Sequence, residues 1–236
     1  MKKKLLICGS SKNLGKFLAK KFKKTYTIIE LSRSFKTNIH KNVFNCDLSD
    51  SKNTYETIKI IEEKNNSIDF VLFCAGDSTK NFRTNENVIN IKKSLDSNFF
   101  VFVNFLESFK KIFSKNKQTN IIVISSIAST GKVDAPIEYS LSKNILNFYS
   151  KIMARQLIKN NIKINIISPG NILMKGNNWD KKIKKNKLKV NKYIKSKVPS
   201  NKFCSPTQIY NLCNLLMLNN GNFVGSNIVM DGGQIL

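Results

Sequence analysis

The feature that most constrains the fold of this chain is the regular alternation of short apolar runs with longer helical stretches. The apolar runs are Ile28–Leu31, Phe70–Cys74, Ile121–Ile124 and Ile162–Ile167, and the helical stretches include Thr54–Glu63, Ile91–Phe113 and Ser142–Ile158. Continuous apolar runs are typical of parallel strands that are buried on both faces. We therefore predict an α/β fold, a doubly wound parallel sheet of about seven strands with helices on both faces.

The length and composition of the chain fit one folded unit. Its 236 residues contain no linker rich in proline or glycine, and 41% of them are apolar, which is enough for a sizeable core. We predict a single domain that spans residues 1–236. The least strand-like segment, at about residues 174–200, is predicted to form a lid over the substrate.

A strand, a glycine-bearing turn and a helix are predicted at the start of the chain. The apolar run Lys4–Cys8 leads into Gly9–Gly15, and apolar residues then recur at helical spacing. Gly9 permits a backbone conformation that a side chain would obstruct, and free N–H groups at the helix start attract a phosphate. Asn13 stands where a middle glycine is expected, and asparagine tolerates a positive φ. The turn predicts a dinucleotide site, and an ordinary strand-to-helix turn is the alternative for this segment alone.

The end of the second predicted strand carries a signal for the type of dinucleotide. The apolar run Tyr26–Leu31 ends at Ser32-Arg33. In a dinucleotide fold this end faces the adenosine ribose, where a carboxylate selects a free 2′-hydroxyl and a cation accepts a 2′-phosphate. Arg33, with Lys12 in the glycine turn, predicts NADP(H) as the preferred cofactor and NAD(H) as the alternative. Glu30 is the counter-signal, but it lies two residues too early for the position after the strand, and it is predicted to be on the strand.

Tyr139 and Lys143 set a phenol and an amine one helical turn apart, with the hydroxyl of Ser126 on a preceding loop. Residues i and i+4 share one face of a helix. A nearby ammonium favours the phenolate, so we expect Lys143 to bring the pKa of Tyr139 toward neutrality and make it a proton donor or acceptor. The competing interpretation is a surface pair, because Tyr-x-x-x-Lys occurs by chance in many helices.

Six ordered segments give nearly the whole chain a resemblance to the short-chain dehydrogenase/reductase family. Gly9–Gly15 resembles its phosphate turn, Asp47 its adenine-contacting aspartate, and Cys74-Ala75-Gly76 the end of its Asn-Asn-Ala-Gly segment. Asn98, Ser126, Tyr139 and Lys143 match its catalytic tetrad in order and approximate spacing, Ser168–Ile172 resembles its Pro-Gly turn, and Phe223–Gly233 its C-terminal ending. The resemblance implies a Rossmann-like fold and an NAD(P)-dependent oxidoreductase that acts on CH–OH and C=O groups.

The resemblance also implies the site residues. Tyr139 would transfer the proton, Ser126 would orient the carbonyl, Lys143 would bond the nicotinamide ribose, and Asn98 would hold a water of the proton chain. The cofactor-binding residues would be Gly9, Ser11, Lys12, Asn13, Leu14, Gly15, Arg33, Asp47, Leu48, Ala75, Gly76, Tyr139, Lys143, Pro169, Gly170 and Ile172. No metal ligand is predicted.

Five positions depart from the family pattern. Phe73 and Cys74 replace two asparagines, Asn13 replaces a glycine, Cys8 replaces a threonine, and Met174 stands where a threonine often contacts the cofactor amide. These changes bear on cofactor affinity and substrate placement more than on reaction class. They leave open a second hypothesis, a cofactor-sensing or scaffold protein of the same fold with little turnover.

The net charge of +25 raises the question of an anionic partner. Only Arg33, Arg83 and Arg155 among the 40 basic residues are arginine, and the aromatic residues do not interleave with the lysine-rich run in a stacking pattern. Nucleic-acid binding is therefore not predicted. Lysines between Met174 and Pro199 predict an anionic small-molecule substrate, either a nucleotide sugar or a carrier-bound acyl group, with Trp179 packed on a ring. The alternative is that these lysines only keep a mobile helix soluble.

The sequence does not distinguish between two classes of substrate. Both a keto sugar and a 3-oxoacyl thioester fit the predicted chemistry. The stretch from Pro169-Gly170-Asn171-Ile172 to Asn178-Trp179-Asp180 is similar to reductases associated with bacterial surface-polysaccharide synthesis, which favours a sugar.

The remaining signals concern compartment and metals. The five cysteines are odd in number and lack Cys-x-x-Cys spacing, which indicates reduced core thiols. His40, the only histidine, lies in a polar stretch and is predicted to be solvated. The apolar start of the chain ends at Gly9, too early for a signal sequence, and no apolar run approaches the roughly 20 residues that cross a bilayer. We predict a cytoplasmic protein with no membrane partner.

We also predict a homo-oligomer, a homotetramer or a homodimer, formed through Ile91–Phe113 and Ser142–Ile158. The apolar residues that surround these helices are Phe99, Phe102, Val103, Phe105, Leu106 and Phe109 on the first, and Ile145, Phe148, Tyr149, Ile152 and Met153 on the second. A helix that is apolar on two sides needs two partners, and a symmetric copy is a common second one. The alternative is a monomer in which Gly221–Leu236 covers the second side.

Overall fold

The structure, a computed structural model, describes residues 2–36, 41–77, 87–113, 118–218 and 222–236. Seven strands form one sheet in the order β3-β2-β1-β4-β5-β6-β7, and every neighbouring pair is parallel. The strands are β1 Lys4–Cys8, β2 Thr27–Ser32, β3 Val43–Asn45, β4 Phe70–Phe73, β5 Thr119–Ile124, β6 Ile162–Pro169 and β7 Asn227–Met230. The predicted doubly wound parallel sheet is confirmed.

Helices cover both faces of this sheet. They are α1 Asn13–Phe22, α2 Ser51–Asn65, α3 Asn87–Leu95, α4 Val101–Phe113, α5 Ile137–Leu157, α6 Asn178–Lys185, α7 Lys187–Lys197 and α8 Pro206–Leu218. Alternate residues of β1 explain the two layers: Leu6 and Cys8 join a core with α2, α4 and α5, whereas Leu5 and Ile7 join a core with α1 and α8. Each strand therefore contributes to two hydrophobic cores, as a strand covered on both sides must.

The single helix predicted over Ile91–Phe113 is interrupted by a π-helical turn, Asp96–Phe100. Its cause is local: the side-chain amide of Asn98 donates to the carbonyl oxygen of Ser94 at 3.1 Å. That carbonyl is the acceptor that the backbone N–H of residue 98 would use in a regular α-helix. The helix widens there, and short π-helical turns of this kind frequently occur at functional sites.

The strand order places the site. Chain order runs outward from β1 through β2 to β3 on one side and from β4 to β7 on the other, so the order reverses between β1 and β4. In an open parallel sheet, ligands bind outside the carboxyl ends of the strands at such a reversal. Gly9, Arg33 and Ala75 follow β1, β2 and β4, the strands at this reversal, and they lie at the carboxyl edge of the sheet.

One face of α5 keeps a row of apolar side chains at the surface. Ile137, Leu141, Ile145, Phe148 and Ile152 follow one another at helical spacing and are 36–66% exposed. We call these five residues the α5 stripe. Exposed apolar residues in a row along one helix face lack a partner within the described part of the chain.

The prediction of a second apolar surface on α4 is wrong. The side chains of Phe102, Phe105, Leu106 and Phe109 are fully buried in the core of their own chain. They are large enough to surround much of the helix and still pack between α2, α5 and the sheet. The apolar residues all round α4 thus reflect deep burial, and of these two helices α5 alone carries an uncovered row among the described residues.

Candidate active site

The glycine turn after β1 closes tightly on the end of β4. Gly9 has a φ of +82°, and a Cβ added there would lie 2.8 Å from the backbone nitrogen of Ala75. A Cβ at Gly15 would lie 2.2 Å from the carbonyl oxygen of Gly9. Asn13 adopts a φ of +49°, which confirms that asparagine can take the conformation of the missing glycine. Both glycines are therefore required by close backbone approach.

The start of α1 offers unsatisfied backbone donors to this turn. The N-cap residue is Lys12, and its side chain makes no capping hydrogen bond. The first N–H groups of a helix lack intrahelical acceptors and carry the positive end of the helix dipole. The turn therefore presents an anion-binding end beside the lysine charge.

A cavity of about 550 Å³ opens beside the turn. Of the predicted cofactor residues, its walls contain Gly9, Ser11, Lys12, Asn13, Leu14, Gly15, Arg33, Asp47, Leu48, Ala75 and Gly76. Residues that line it and that were not among the predicted cofactor-binding residues include Ser32, Ser34, Ser49, Cys74, Asp77 and Asp96. The volume falls in the range of cavities that hold small molecules and cofactors.

Three hydroxyls form a ring in the wall of this cavity. The Oγ atoms of Ser11 and Ser32 are 2.8 Å apart, and the Oγ of Ser34 donates to that of Ser11 at 2.7 Å. Arg33 lies between Ser32 and Ser34 in the sequence. Hydroxyl donors, two cations and backbone N–H groups are the chemistry that binds phosphate, so these residues fit a dinucleotide phosphate. The position of Ser32 and Ser34 on either side of Arg33 was the sequence signal that could have identified them as phosphate-binding residues.

Two carboxylates lie near the arginine. Arg33 Nη2 and Asp77 Oδ2 are 3.6 Å apart. Burial opposes ionisation of Asp47, but two hydrogen bonds from Ser49 and the charge of Arg33 outweigh it and lower the pKa of that carboxyl. The cavity therefore places two acids beside its arginine.

The four predicted catalytic residues meet at the carboxyl ends of β4 and β5. Gly76 lies between two of them, because a Cβ added there would be 2.9 Å from Asn98 Oδ1 and 3.4 Å from Lys143 Nζ. The side chains of Ser126 and Tyr139 form a hydrogen bond. Lys143 Nζ lies 5.7 Å from the centre of the Tyr139 ring, as the i and i+4 spacing on α5 requires.

The π-helical turn positions Asn98 in this group. The backbone N–H of Asp77 donates to its Oδ1 at 3.2 Å, while its amide nitrogen donates to Ser94. The side chain is fully buried. The amide is therefore held between β4 and the helix, with its oxygen turned toward the strand end.

The expected effect of Lys143 on Tyr139 is wrong for this structure. Burial raises the pKa of Tyr139, and the hydrogen bond with Ser126 opposes that rise. Burial also lowers the pKa of Lys143 from its usual 10.5 to about 8, against a smaller opposing effect of Cys74. The lysine is only 4% exposed, so its own charge is disfavoured by desolvation. At neutral pH Tyr139 is a protonated phenol, which suits it as a proton donor.

The Pro-Gly turn after β6 lies outside the cavity walls. The N–H of Gly170 donates to the carbonyl of Met230 at 2.9 Å, and a Cβ there would lie 2.9 Å from Asp231 Cα. Ile172 forms an isolated parallel bridge with Cys204. Gly170 is therefore required by the C-terminal segment, and the predicted contacts of Pro169, Gly170 and Ile172 with a cofactor stay a prediction.

The predicted lid segment contains α6 and α7. Its tryptophan is already engaged: Trp179 packs on Phe203 and Tyr193 with ring centres 4.6 and 5.1 Å away, and its Nε1 donates to Asn171 Oδ1 at 3.1 Å. Lys182 Nζ lies 4.2 Å from the ring centre. The prediction that Trp179 stacks on a substrate ring is therefore wrong in this structure, where the ring joins the lid to the Pro-Gly turn.

Three further findings concern metals, thiols and membranes. Within the described ranges, no cluster of three or more His, Cys, Asp and Glu side chains could hold a metal, and all five cysteines are free. His40 lies outside the described residues. None of the helices in the described part of the chain is both long and apolar enough to span a bilayer. The cytoplasmic location stays a prediction.

A parallel sheet of this order, with a glycine turn beside a Tyr-x-x-x-Lys helix, defines a class of nucleotide-dependent oxidoreductases. Residues 23–234 match the family model adh_short_C2, described as enoyl-(acyl carrier protein) reductase. The chain belongs to the short-chain dehydrogenase/reductase family. It is an NAD(P)-dependent oxidoreductase that resembles 3-oxoacyl carrier-protein reductases.

Individual relatives are distant but cover the whole chain. The 3-oxoacyl-(acyl-carrier-protein) reductase FabG of Buchnera aphidicola subsp. Schizaphis graminum is 28% identical and covers 100% of this chain and 98% of its own length. Carbonyl reductase family member 4 of Xenopus laevis is 26% identical over 99% and 98% of the two chains. Among solved structures, ElxO with NADP bound has a TM-score of 0.85 and 24% identity over 99% of both chains, which shows a common fold.

Proposed function

We propose that the protein reduces a carbonyl group to an alcohol with NADPH, and that it runs the reverse oxidation with NADP. The observation that carries this proposal is the hydrogen-bonded pair of Ser126 and a protonated Tyr139 beside the buried Lys143. NADPH, when bound, supplies the hydride that the carbonyl carbon accepts. NAD(H) is the alternative cofactor.

The side chains of the protein supply the rest of the chemistry. Tyr139 donates its phenolic proton to the oxygen that develops negative charge, and Ser126 donates a hydrogen bond to the same oxygen. Lys143 lies on the same side of α5 as Tyr139 and would bond the nicotinamide ribose, the role that the family resemblance implies. Asn98 stands at the inner end of this group, where its fixed amide can hold a water that returns a proton.

We favour a 3-oxoacyl thioester on a carrier as substrate, and a keto sugar is the second candidate. The first is supported by the name of the Buchnera relative and by the charge of the lid. Helices α6 and α7 contain nine lysines and one acidic residue, Asp180. The sugar is supported by the likeness of the stretch from Pro169 to Asp180 to reductases of surface-polysaccharide synthesis. The Trp179 ring of that stretch is packed on Phe203 and Tyr193.

The test is turnover on a panel of substrates. Purified protein is titrated with NADPH, followed by cofactor fluorescence, and then mixed with acyl thioesters and keto sugars while NADPH oxidation is recorded. Oxidation with a thioester supports the first substrate, and oxidation with a sugar supports the second. Binding without turnover on any member would favour the cofactor-sensing or scaffold function, which the replacements Phe73 and Cys74 keep open.

Cofactor preference gives a first prediction. Replacing Arg33 with aspartate is expected to raise the Kd for NADPH by about tenfold or more, because a carboxylate replaces the cation that accepts the 2′-phosphate. The Kd for NADH should stay equal or fall. Fluorescence titration of both cofactors measures the ratio. Lys36→Asp, which changes an exposed charge outside the cavity wall, is the matched control. A parent protein that binds NADH more tightly than NADPH would contradict the preference.

Assembly gives a second prediction. We infer a homodimer or homotetramer in which the α5 stripe of one chain meets that of a symmetric copy. The alternative, a monomer, required the C-terminal segment to cover the second side of α5. Gly225 does approach Ala154 and Lys151, and residues 227–230 form the edge strand, but the α5 stripe stays exposed, which argues against the monomer. Gly221 lies outside the described residues. Closed symmetric pairs are the common way to bury such a row.

Replacing Phe148 with glutamate is expected to dissociate this assembly. Phe148 is 66% exposed in one chain, and a glutamate there would bury two like charges, one from each copy, in the interface. Light scattering at micromolar concentration gives the mass. The control is Leu215→Glu, an exposed apolar residue on α8. A parent mass that stays near the 26.9 kDa of one chain as concentration rises would refute the assembly.

A further inference from the structure

An ion pair crosses the mouth of the cofactor cavity. Arg33 follows β2 and Asp77 lies beyond the end of β4, while β1 and its glycine turn lie between those two strands. Arg33 Nη2 and Asp77 Oδ2 are 3.6 Å apart, and both residues line the cavity. The pair therefore spans the place where a dinucleotide would enter beside Gly9.

The pair is weak enough to open. The side chain of Arg33 is 62% exposed and that of Asp77 is 25% exposed. Ion pairs in contact with water contribute little to stability, because solvent screens the charges and ordering the side chains costs entropy. The guanidinium can therefore turn to another anion at small cost, but it must leave Asp77 to do so.

We propose that Asp77 is a specificity-determining residue, whose carboxylate competes with the 2′-phosphate of NADP(H) for Arg33. The inference rests on the proposed function, in which Arg33 receives that phosphate. While Asp77 holds Arg33, a phosphate dianion must displace that carboxylate before it can pair with the guanidinium, whereas binding of a 2′-hydroxyl does not require the guanidinium to leave Asp77. Asp77 thus reduces the ratio of the affinity for NADP(H) to that for NAD(H), so the same cavity also accepts NAD(H).

The competing carboxylate can be removed without disturbing the catalytic group. Asp77 holds Asn98 through its backbone N–H, which donates to Asn98 Oδ1 at 3.2 Å. The substitution Asp77→Asn keeps that backbone donor and the size of the side chain, and it removes only the charge. An effect on cofactor affinity can therefore be separated from an effect on the proton path.

The experiment is a fluorescence titration of NADPH and of NADH with four proteins: the parent, Asp77→Asn, Arg33→Met and the double variant. Asp77→Asn should lower the Kd for NADPH by roughly three- to tenfold and change that for NADH by less than about twofold. In the Arg33→Met background, the same change should leave the Kd for NADPH within about twofold, because the competed group is gone. Asp96→Asn, which removes an equal charge from the same cavity wall, is the control for a general effect of charge.

Three results would overturn the inference: an unchanged Kd for NADPH in Asp77→Asn, equal tightening of both cofactors, or the full gain persisting in the Arg33→Met background. A gain of the same size in Asp96→Asn would assign the effect to cavity charge and also overturn it. The failure of the proposed NADP preference is a different result, a parent that binds NADH more tightly. Even if the parent prefers NADH, the change in NADPH affinity on Asp77→Asn decides whether the carboxylate competes with the 2′-phosphate for Arg33.

Discussion

Replacing Tyr139 with phenylalanine is expected to lower kcat for carbonyl reduction by about 10²–10⁴-fold, the usual contribution of a general acid. The substitution removes the hydroxyl that bonds Ser126 and keeps the ring that packs beside Lys143. NADPH binding should therefore stay within about twofold of the parent. The measurements are steady-state NADPH oxidation and a fluorescence titration on the same preparation.

The matched control for this variant is Tyr149→Phe. Tyr149 lies on the same helix, and its hydroxyl donates to Glu107 Oε1 at 3.5 Å, away from the catalytic group. Its loss should change kcat by less than about threefold, as expected of a group outside the proton path. If Tyr139→Phe kept kcat within about tenfold of the parent, the assignment of the proton donor would fail.

Replacing Lys143 with methionine is expected to abolish most activity and yet to stabilise the fold. The native pKa of Lys143 is about 8, below its usual 10.5, so the unfolded chain binds this proton more readily. The resulting cost of burying the ammonium is fully present below pH 8 and absent above about pH 10.5. At neutral pH the variant should gain up to about 3 kcal/mol in free energy of unfolding, from the size of that pKa difference.

Thermal or denaturant unfolding at several pH values tests this prediction. The gain should be largest below pH 8, shrink as pH rises, and vanish above about pH 10.5, where the lysine is neutral in both states. The control Lys151→Met changes an exposed lysine of the same helix and should alter stability by less than about 0.5 kcal/mol. Equal stability of parent and Lys143→Met at pH 7 would show that the buried ammonium is compensated.

The order of elements was predictable because its signals are local. Apolar runs such as Phe70–Cys74 must lie in a sheet buried on both faces, and the observed strand Phe70–Phe73 ends within one residue of the run. The positive φ of Asn13 also followed from residue type alone. The pairing of Tyr139 with Lys143 required only that residues 137–157 form a helix.

The features that escaped prediction depend on packing between distant segments. The pKa of Tyr139 is set by burial and by Ser126, and neither is visible in the spacing of Tyr139 and Lys143. The ring of Ser11, Ser32 and Ser34 joins two turns that are far apart in sequence. The π-helical turn at Asn98 arose from one side chain competing with the backbone for a carbonyl, which periodicity does not encode.

The packing of Trp179 gives the protein an optical reporter of its own. It is the only tryptophan of the chain, and it lies where α6 of the lid meets Phe203 and Asn171. If α6 moves away from Phe203 and Asn171, the indole loses a ring neighbour and a hydrogen-bond acceptor, so the colour and intensity of its emission must change. Movement of α6 can therefore be timed in unlabelled protein, before any substrate has been identified.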